Sequence, residues 1–184
     1  MNSIYEHFAA SVEKMILQAS GSTRPDWESS LESFLQRMRS EKMSGWWLTG
    51  SAALAVRGIR VVPRDIDLVV TTGPEARKLG EILSDWLVEP VQRSEGWIAR
   101  WFGRAFKESR IEWVGEVEAS VDRPEPCDFG PTAARQLQPV EWRGYTIPVP
   151  PLDLQLAVSI RRGMVERAEK IRKGIREESR LLHS

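Results

Sequence analysis

The feature that most constrains this sequence is a short apolar run that stops at a Gly-Ser pair. Residues 46–49 favour a buried strand, and Gly50 and Ser51 separate it from an alanine-rich stretch with strong helical character. A strand that turns into a helix in this way exposes backbone N–H groups at the start of the helix, and glycine lets a phosphate come close to the backbone. The segment therefore predicts an anion-binding turn at Gly50 and Ser51.

A pair of carboxylates opens the next predicted strand. Thirteen residues separate Ser51 from Asp65, and Asp65-Ile66-Asp67 leads into a β-branched run that ends at Val70. Two residues separated by one on a strand face the same way, with Cα atoms about 6.6–6.8 Å apart. Paired carboxylates suit Mg²⁺, which keeps phosphate oxygens among its ligands. An anion-binding turn and a metal-binding pair on adjacent strand ends together describe a site for a nucleoside triphosphate.

Such a site needs a third carboxylate from a neighbouring strand. Glu112 lies in the apolar run of residues 111–115, where an acidic residue is unusual if it faces a core. Glu116 and Glu118 have the same strand parity and remain alternatives at this stage. We therefore expect one of these three glutamates, with Glu112 favoured, to lie beside the aspartate pair.

These motifs have a familiar counterpart. Gly50-Ser51, Asp65-x-Asp67 and a later strand acid resemble the signature of the polymerase-β-like nucleotidyltransferase superfamily. Its small bacterial members include minimal nucleotidyltransferases and antibiotic nucleotidyltransferases that act on aminoglycosides and lincosamides. The resemblance is good over residues 46–70 and looser over 109–115, and residues 149–156 are similar to a Pro-Pro-Leu-x-Leu-Gln-Leu segment of other members.

The resemblance implies a fold, an activity and a set of roles. The fold would be α+β, the nucleotidyltransferase fold, with a mixed β-sheet, helices mainly on one face and flanking N- and C-terminal helices. The activity would be Mg²⁺- or Mn²⁺-dependent transfer of a nucleoside monophosphate from a nucleoside triphosphate such as ATP to a hydroxyl acceptor. Gly50 and Ser51 would bind the triphosphate, and Asp65 and Asp67 would hold the metal. Glu112 would complete the metal site or take the proton of the acceptor.

Other interpretations of the same residues remain. The Asp-x-Asp-x-Val pattern also fits haloacid-dehalogenase-type phosphatases, but Pro63 and Arg64 precede the pair and the apolar run follows it, which favours carboxylates at the start of a strand. Arg64 is a candidate nucleotide contact or an ion-pair partner of Asp65. The chain could also be a non-catalytic nucleotide-binding or partner-dependent module. It further resembles abortive-infection nucleotidyltransferase toxins, which act on tRNA.

Composition limits the setting in which the protein works. The 26 basic and 26 acidic residues cancel, which disfavours a globally basic nucleic-acid binder. The single cysteine excludes an internal disulfide, and no apolar run approaches the roughly 20 residues that span a bilayer. We expect a cytoplasmic protein without a membrane partner. Its ligands would be a nucleoside triphosphate and a small-molecule or RNA acceptor, and the N-terminal helices are candidates for a homodimer surface.

Periodicity and turn signals predict the order of the elements. Three regions are expected: N-terminal helices in 1–45, a nucleotidyltransferase core in 46–150 and C-terminal helices in 151–184, all within one compact domain. The predicted helices cover 3–19, 26–43, 52–56, 75–85, a segment from 150 and 164–182. The predicted strands cover 46–49, 65–70, 86–91, 97–106, 109–117 and a hairpin in 141–149, with a loop at 119–139. Trp97, Trp101 and Trp113 are expected to pack, although each could stack a base or an apolar acceptor.

Overall fold

Helices and strands alternate along most of the chain, and the computed structural model describes residues 3–181. The helices are α1 (Ile4–Ala19), α2 (Trp27–Ser40), α3 (Gly50–Val56), α4 (Gly73–Ile82), α5 (Pro131–Ala134), α6 (Leu152–Arg161) and α7 (Val165–Leu181). The strands are β1 (Trp46–Thr49), β2 (Asp65–Val70), β3 (Leu87–Arg93), β4 (Ala99–Phe106), β5 (Arg110–Val117), β6 (Gln138–Trp142) and β7 (Tyr145–Val149).

A five-stranded sheet organises the protein. Its strand order is β1-β2-β5-β4-β3, with β6 and β7 forming a separate hairpin. The central pair β2–β5 is parallel, whereas β1–β2, β4–β5 and β3–β4 are antiparallel. The α+β class and the mixed sheet predicted from the sequence are therefore confirmed.

The two faces of this sheet have different environments because side chains alternate along each strand. Ile66, Leu68, Ile111 and Trp113 are buried on one face, in a core shared with α2 and α4. The residues that alternate with them along β2 and β5, which include all three predicted carboxylates, lie on the opposite face. We call this second face the open face, because among residues 3–181 the core helices α2 and α4 pack against the other one.

The C-terminal helices pack at the side of the sheet rather than on the main core. Leu54 of α3, Leu152 of α6 and Ile171 of α7 form a second apolar cluster. This cluster attaches α6 and α7 to the short helix that follows the Gly50–Ser51 turn. Residues from the end of α6 and from α7 can thereby reach the edge of the open face.

Several element boundaries differ from the predictions for local reasons. Helix α2 ends at Ser40 rather than near residue 43, because Lys42 adopts a left-handed φ of 50°. Helix α4 starts at Gly73, where Thr72 and Glu75 form a capping box. The predicted loop 119–139 contains a 3₁₀ turn at Ala119–Asp122, α5 and the first residues of β6. The final predicted helix included residue 182, which lies outside the described residues.

Gly103 provides a test of the packing on the sheet face that is covered by α2 and α4. It pairs across the sheet with Trp113, whose indole lies over it and donates to the carbonyl of Ala76 at 3.1 Å. A side chain at position 103 would collide with that ring, so Gly103→Ala should lower the free energy of unfolding by about 1–3 kcal/mol. Urea denaturation measures the change, with Arg100→Ala, an exposed change on the same strand, expected within about 0.5 kcal/mol of wild type. An unchanged unfolding free energy for Gly103→Ala would contradict this packing.

Candidate active site

The open face carries a row of polar residues that crosses four neighbouring strands. Thr49 of β1 is paired with Asp67 of β2, Asp67 with Glu112 of β5, and Glu112 with Arg104 of β4. The parallel pairing of β2 with β5 sets this alignment, although the two strands are far apart in sequence. The sheet therefore places acidic side chains from two strands side by side.

Asp65, Asp67 and Glu112 form what we call the carboxylate cluster. One oxygen from each residue lies within 4.8 Å of the others, and all three side chains are partly buried. An all-oxygen set of this kind suits a hard divalent cation such as Mg²⁺. The structure thus brings together the three carboxylates that the sequence singled out.

The two alternative glutamates do not belong to the cluster. Glu116 adopts a left-handed φ of 52°, and its Oε1 accepts the backbone N–H of Gly73 at 3.1 Å. Its carboxylate therefore caps the start of α4. Glu118 is exposed beyond the end of β5, with its Oε2 3.5 Å from the Ser120 hydroxyl.

Two arginines offset part of the negative charge of the cluster. Arg110 donates from Nη2 to Asp65 Oδ2 at 2.6 Å, and its Nε lies 3.4 Å from Glu112 Oε1. Arg104 donates from Nε to the same Glu112 oxygen at 2.6 Å and pairs with Glu89 at 2.9 Å. Glu112 therefore has two arginine partners, and Asp65 has one.

Asp67 has neither an ion pair nor a side-chain hydrogen bond among residues 3–181. Burial, followed by the charges of Asp65 and Glu112, raises the pKa of Asp67 to about 7 from its ordinary value of 3.8. This mostly buried carboxylate lacks the partner that a buried charge normally requires. A divalent cation would supply that partner, so the cluster fits a metal in its electrostatics as well as in its donor atoms.

The turn after β1 lies directly beside Asp67. Gly50 has a φ of 65°, and a Cβ at this position would lie 2.8 Å from Asp67 Oδ2, so the close approach requires glycine. Fully buried Gln155 of α6 donates from Nε2 to the Gly50 carbonyl at 3.0 Å. Because C=O and N–H point in opposite directions across a trans peptide, this bond directs the Ser51 N–H away from α6.

A cavity of about 250 Å³ lies over the open face next to the cluster. Its lining residues include Thr49, Gly50, Asp67, Val69, Trp97, Ile98, Ala99, Phe102, Glu112, Val114, Asp128, Phe129, Arg162 and Arg167. The Asp128 carbonyl accepts from Trp47 Nε1 at 3.2 Å and from the Thr49 hydroxyl at 3.1 Å, which fixes the 119–139 segment against β1.

Two arginines from the C-terminal region face this cavity. Arg162 follows α6 and Arg167 belongs to α7, and neither makes an ion pair within the described part of the chain. The Nε of Arg167 is buried without a hydrogen-bond partner. Burial lowers the pKa of Arg167, and the charge of Asp128 counteracts that effect. Both cations are thus available to an anion in the cavity.

Comparison with known proteins supports the same fold. No protein-family model and no curated protein sequence matches the chain. A candidate nucleotidyltransferase from Thermotoga maritima, TM1012, shares 26% sequence identity over 84% of this chain and 95% of its own, with a TM-score of 0.60. The chain has the nucleotidyltransferase fold. A second structure, ANT(2″)-Ia in complex with adenylyl-2″-tobramycin, aligns over 84% of this chain and 92% of its own at 14% identity and a TM-score of 0.49.

Within this nucleotidyltransferase fold, two predicted binding residues have no direct contact with the cluster. Arg64 is exposed and borders a groove formed with residues 18–25, while Arg110 makes the ion pair with Asp65. Ser51 follows Gly50 in the first turn of α3, but its side chain does not line the cavity. The roles of Arg64 and Ser51 in nucleotide binding stay predictions.

Four residues at the site, Arg110, Gln155, Arg162 and Arg167, were not predicted from the sequence. Arg110 could have been found by pairing β2 with β5 in parallel, which places it opposite Asp65. Gln155 lies inside the Pro-Pro-Leu-x-Leu-Gln-Leu segment that resembles other family members, but its hydrogen bond to Gly50 was not predicted. Arg162 and Arg167 had no local signal, because the basic C-terminal helix resembles any solvated helix.

Among residues 3–181, no helix is long and apolar enough to cross a bilayer.

The ionised Asp67 carboxylate should lower the free energy of unfolding of the metal-free protein. Its folded-state pKa exceeds its unfolded value, so stability falls as pH rises from about 4 to about 7 and stays low above that. Asp67→Asn should therefore raise the melting temperature at pH 8 without divalent metal, by about 2–4 °C for each kcal/mol gained. The gain should shrink as pH falls and disappear well below pH 4, where the wild-type carboxyl is protonated in both the folded and the unfolded state.

Asp65→Asn is the matched control, because Asp65 has the Arg110 ion pair that Asp67 lacks. It should not raise the melting temperature at pH 8. Equal responses of the two variants, measured by differential scanning calorimetry in EDTA, would contradict the assigned difference in their surroundings.

Proposed function

We propose that this protein is a Mg²⁺-dependent nucleotidyltransferase that transfers a nucleoside monophosphate from a nucleoside triphosphate to a hydroxyl acceptor. The supporting observation is the carboxylate cluster beside the Gly50 turn, within a nucleotidyltransferase fold. Mn²⁺ suits the same oxygen ligands. ATP is the first triphosphate to test, and the cytoplasmic location and the homodimer remain predictions from the sequence.

The donor nucleotide would lie toward the β1 side of the cluster. Its triphosphate would lie between the Gly50–Ser51 turn and the two cavity arginines, Arg162 and Arg167. Backbone N–H groups and guanidinium groups are both strong donors to phosphate oxygens. The metal, held by Asp65, Asp67 and Glu112, would neutralise charge on the phosphates.

The reaction replaces a phosphoanhydride bond with a phosphoester bond. The acceptor oxygen forms a bond to the α-phosphorus, the bond from the α-phosphorus to the bridging oxygen breaks, and pyrophosphate leaves. The acceptor proton goes to a carboxylate, and Glu112 is the residue proposed for this role. Attacking and leaving oxygens lie roughly in line, so the acceptor approaches from the side opposite the departing pyrophosphate.

Thermal melting tests the donor site without knowledge of the acceptor. ATP, GTP, CTP and UTP are each added with and without Mg²⁺ to wild type and to Asp65→Ala/Asp67→Ala. A triphosphate at about 100 times its dissociation constant should stabilise wild type by ~2.7 kcal/mol, and the double variant should lose this Mg²⁺-dependent shift. Transfer of α-labelled nucleotide to acceptors is then measured with the nucleotide that binds best.

Other outcomes separate the alternatives. No shift with any triphosphate would overturn the proposal and favour a partner-dependent module. Binding without transfer to any acceptor, including water, would favour a non-catalytic nucleotide-binding protein. Growth arrest on expression, abolished by Asp67→Ala and accompanied by labelled tRNA, would assign tRNA as the acceptor.

Gln155 provides a separate test of the Gly50–Ser51 turn. Gln155→Met keeps the side-chain length but removes the donor to the Gly50 carbonyl, so the Ser51 N–H loses its fixed direction. Affinity for the triphosphate should fall about three- to tenfold, as expected for one hydrogen bond, while Mg²⁺ affinity without nucleotide stays unchanged. Isothermal titration calorimetry measures both, with exposed Gln136→Met as the control. Wild-type triphosphate affinity in Gln155→Met would exclude this positioning role.

A further inference from the structure

The cavity has a charged side and an uncharged side. The Gly50 turn follows β1, and Arg167 of α7 interacts with Asp128, whose carbonyl is held by Trp47 and Thr49 of β1. Arg162 follows α6 and lies close enough to Arg167 for their charges to interact. The other side, beyond Glu112 toward β4, is lined by residues without formal charge: Trp97, Ile98, Ala99, Phe102 and Val114. The division follows the strand order of the sheet.

The uncharged side immediately adjoins the carboxylate cluster. Val114 lies two residues beyond Glu112 on β5, about 6.6–6.8 Å along the strand and on the same face. Phe102 is paired with Val114 across β4 and β5, just as Arg104 is paired with Glu112. An apolar row therefore runs parallel to the polar row, one side-chain step away.

Aromatic surface at the edge of this row is unusually accessible. Trp97 is 46% exposed and Ile98 is 41% exposed, although both line the cavity at the turn before β4. The Trp97 ring meets Phe102 edge-on at 6.2 Å. Large apolar side chains that remain exposed together beside a site commonly mark a place where a ligand covers them.

We propose that this uncharged surface, made by Trp97, Ile98, Phe102 and Val114, binds an uncharged acceptor that has an apolar ring next to its reacting hydroxyl. The proposal rests on the proposed nucleotidyl transfer. With the phosphates on the β1 side, pyrophosphate leaves toward Gly50, and in-line attack brings the acceptor from the β4 side. An acceptor oxygen near Glu112 then has its attached group over Phe102 and Val114.

The charges around this surface argue against two other acceptors. A polycationic aminosugar would need carboxylates, and the lining of this side provides none beyond Glu112 of the cluster. The end of an RNA would need free cations for its phosphates, but Arg104, whose guanidinium lies 5.0 Å from the Phe102 ring centroid, is already paired with Glu89 and Glu112. The two arginines of the cavity lining, Arg162 and Arg167, come from the C-terminal helices rather than from β4. A small uncharged ring compound fits the surface as it stands.

Esters of the transferred nucleotide test the proposal because they imitate the product. Using the base selected by thermal melting, we would prepare the O-benzyl, O-methyl and O-(2-aminoethyl) esters of the nucleoside 5′-monophosphate and the 3′–5′ dinucleotide. Calorimetry with Mg²⁺ measures their affinities for the 184-residue chain. The benzyl ester should bind about tenfold or more tightly than the methyl ester, as burial of a phenyl ring predicts. The aminoethyl ester should show no gain over the methyl ester.

Variants of the protein show which residues produce the higher affinity of the benzyl ester over the methyl ester. Trp97→Ala and Phe102→Leu should each reduce the benzyl-over-methyl ratio while leaving the affinity for the methyl ester and the triphosphate unchanged. Tyr5→Ala, which alters an exposed aromatic residue on α1, should keep the wild-type ratio. A wild-type ratio in both Trp97→Ala and Phe102→Leu would overturn the assigned surface.

The remaining outcomes separate this proposal from the one on which it rests. Triphosphate binding with equal benzyl and methyl affinities would overturn the acceptor surface alone. Tightest binding of the aminoethyl ester would indicate a cationic acceptor, and tightest binding of the dinucleotide would indicate a nucleic-acid end; either overturns the proposal. Absence of binding by the triphosphate and by every ester would overturn both proposals.

Discussion

The crowding of three carboxylates on one face of a sheet is the constraint on which the rest of this site depends. Like charges with oxygens within 4.8 Å of one another repel, and partial burial strengthens that repulsion. Arg104 and Arg110 compensate Glu112 and Asp65, but Asp67 has no such partner among residues 3–181. Asp67 is therefore a partly buried carboxylate without a compensating arginine, and burial together with the charges of Asp65 and Glu112 makes its ionisation unfavourable in the absence of a cation.

This arrangement depends on how the sheet divides its two faces. Ile66, Leu68, Ile111 and Trp113 attach β2 and β5 to the core, so the register of these strands cannot slip without burying charges. The intervening residues are then forced onto the open face in matching positions. Stability on one face and chemical reactivity on the other thus come from the same alternation of side chains along two adjacent parallel strands.

The sequence predicted the features that are encoded locally. Gly50 and the Asp65–Asp67 pair could be placed because a turn, a strand start and side-chain parity are properties of neighbouring residues. Glu112 was favoured by its apolar surroundings, and the structure explains why Glu116 is not in the cluster: a left-handed backbone at that residue turns its carboxylate to the start of α4. Strand parity alone cannot reveal such a backbone irregularity.

Long-range contacts were beyond the reach of local patterns. The hydrogen bond from Gln155 to Gly50 joins residues 105 positions apart. Arg64 was predicted as a possible partner of Asp65, but the parallel pairing of β2 with β5 places Arg110 opposite Asp65 instead. The shape of the 119–139 segment was equally inaccessible, because it depends on the Asp128 carbonyl meeting two side chains of β1. These contacts follow from the topology of the sheet rather than from periodicity.

The C-terminal helices connect the apolar packing around α3 with the polar groups beside the cavity. Leu152 and Ile171 pack on Leu54 of α3, so α6 and α7 are held against the short helix that begins at the Gly50 turn. The same two helices supply the Gln155 donor to the Gly50 carbonyl and Arg167, whose Nε has no hydrogen-bond partner among residues 3–181. The side of the cavity that we propose to bind the triphosphate therefore depends on the packing of these helices on α3. Apolar packing some distance from the carboxylates thereby determines whether backbone N–H groups and guanidinium groups point at the same space.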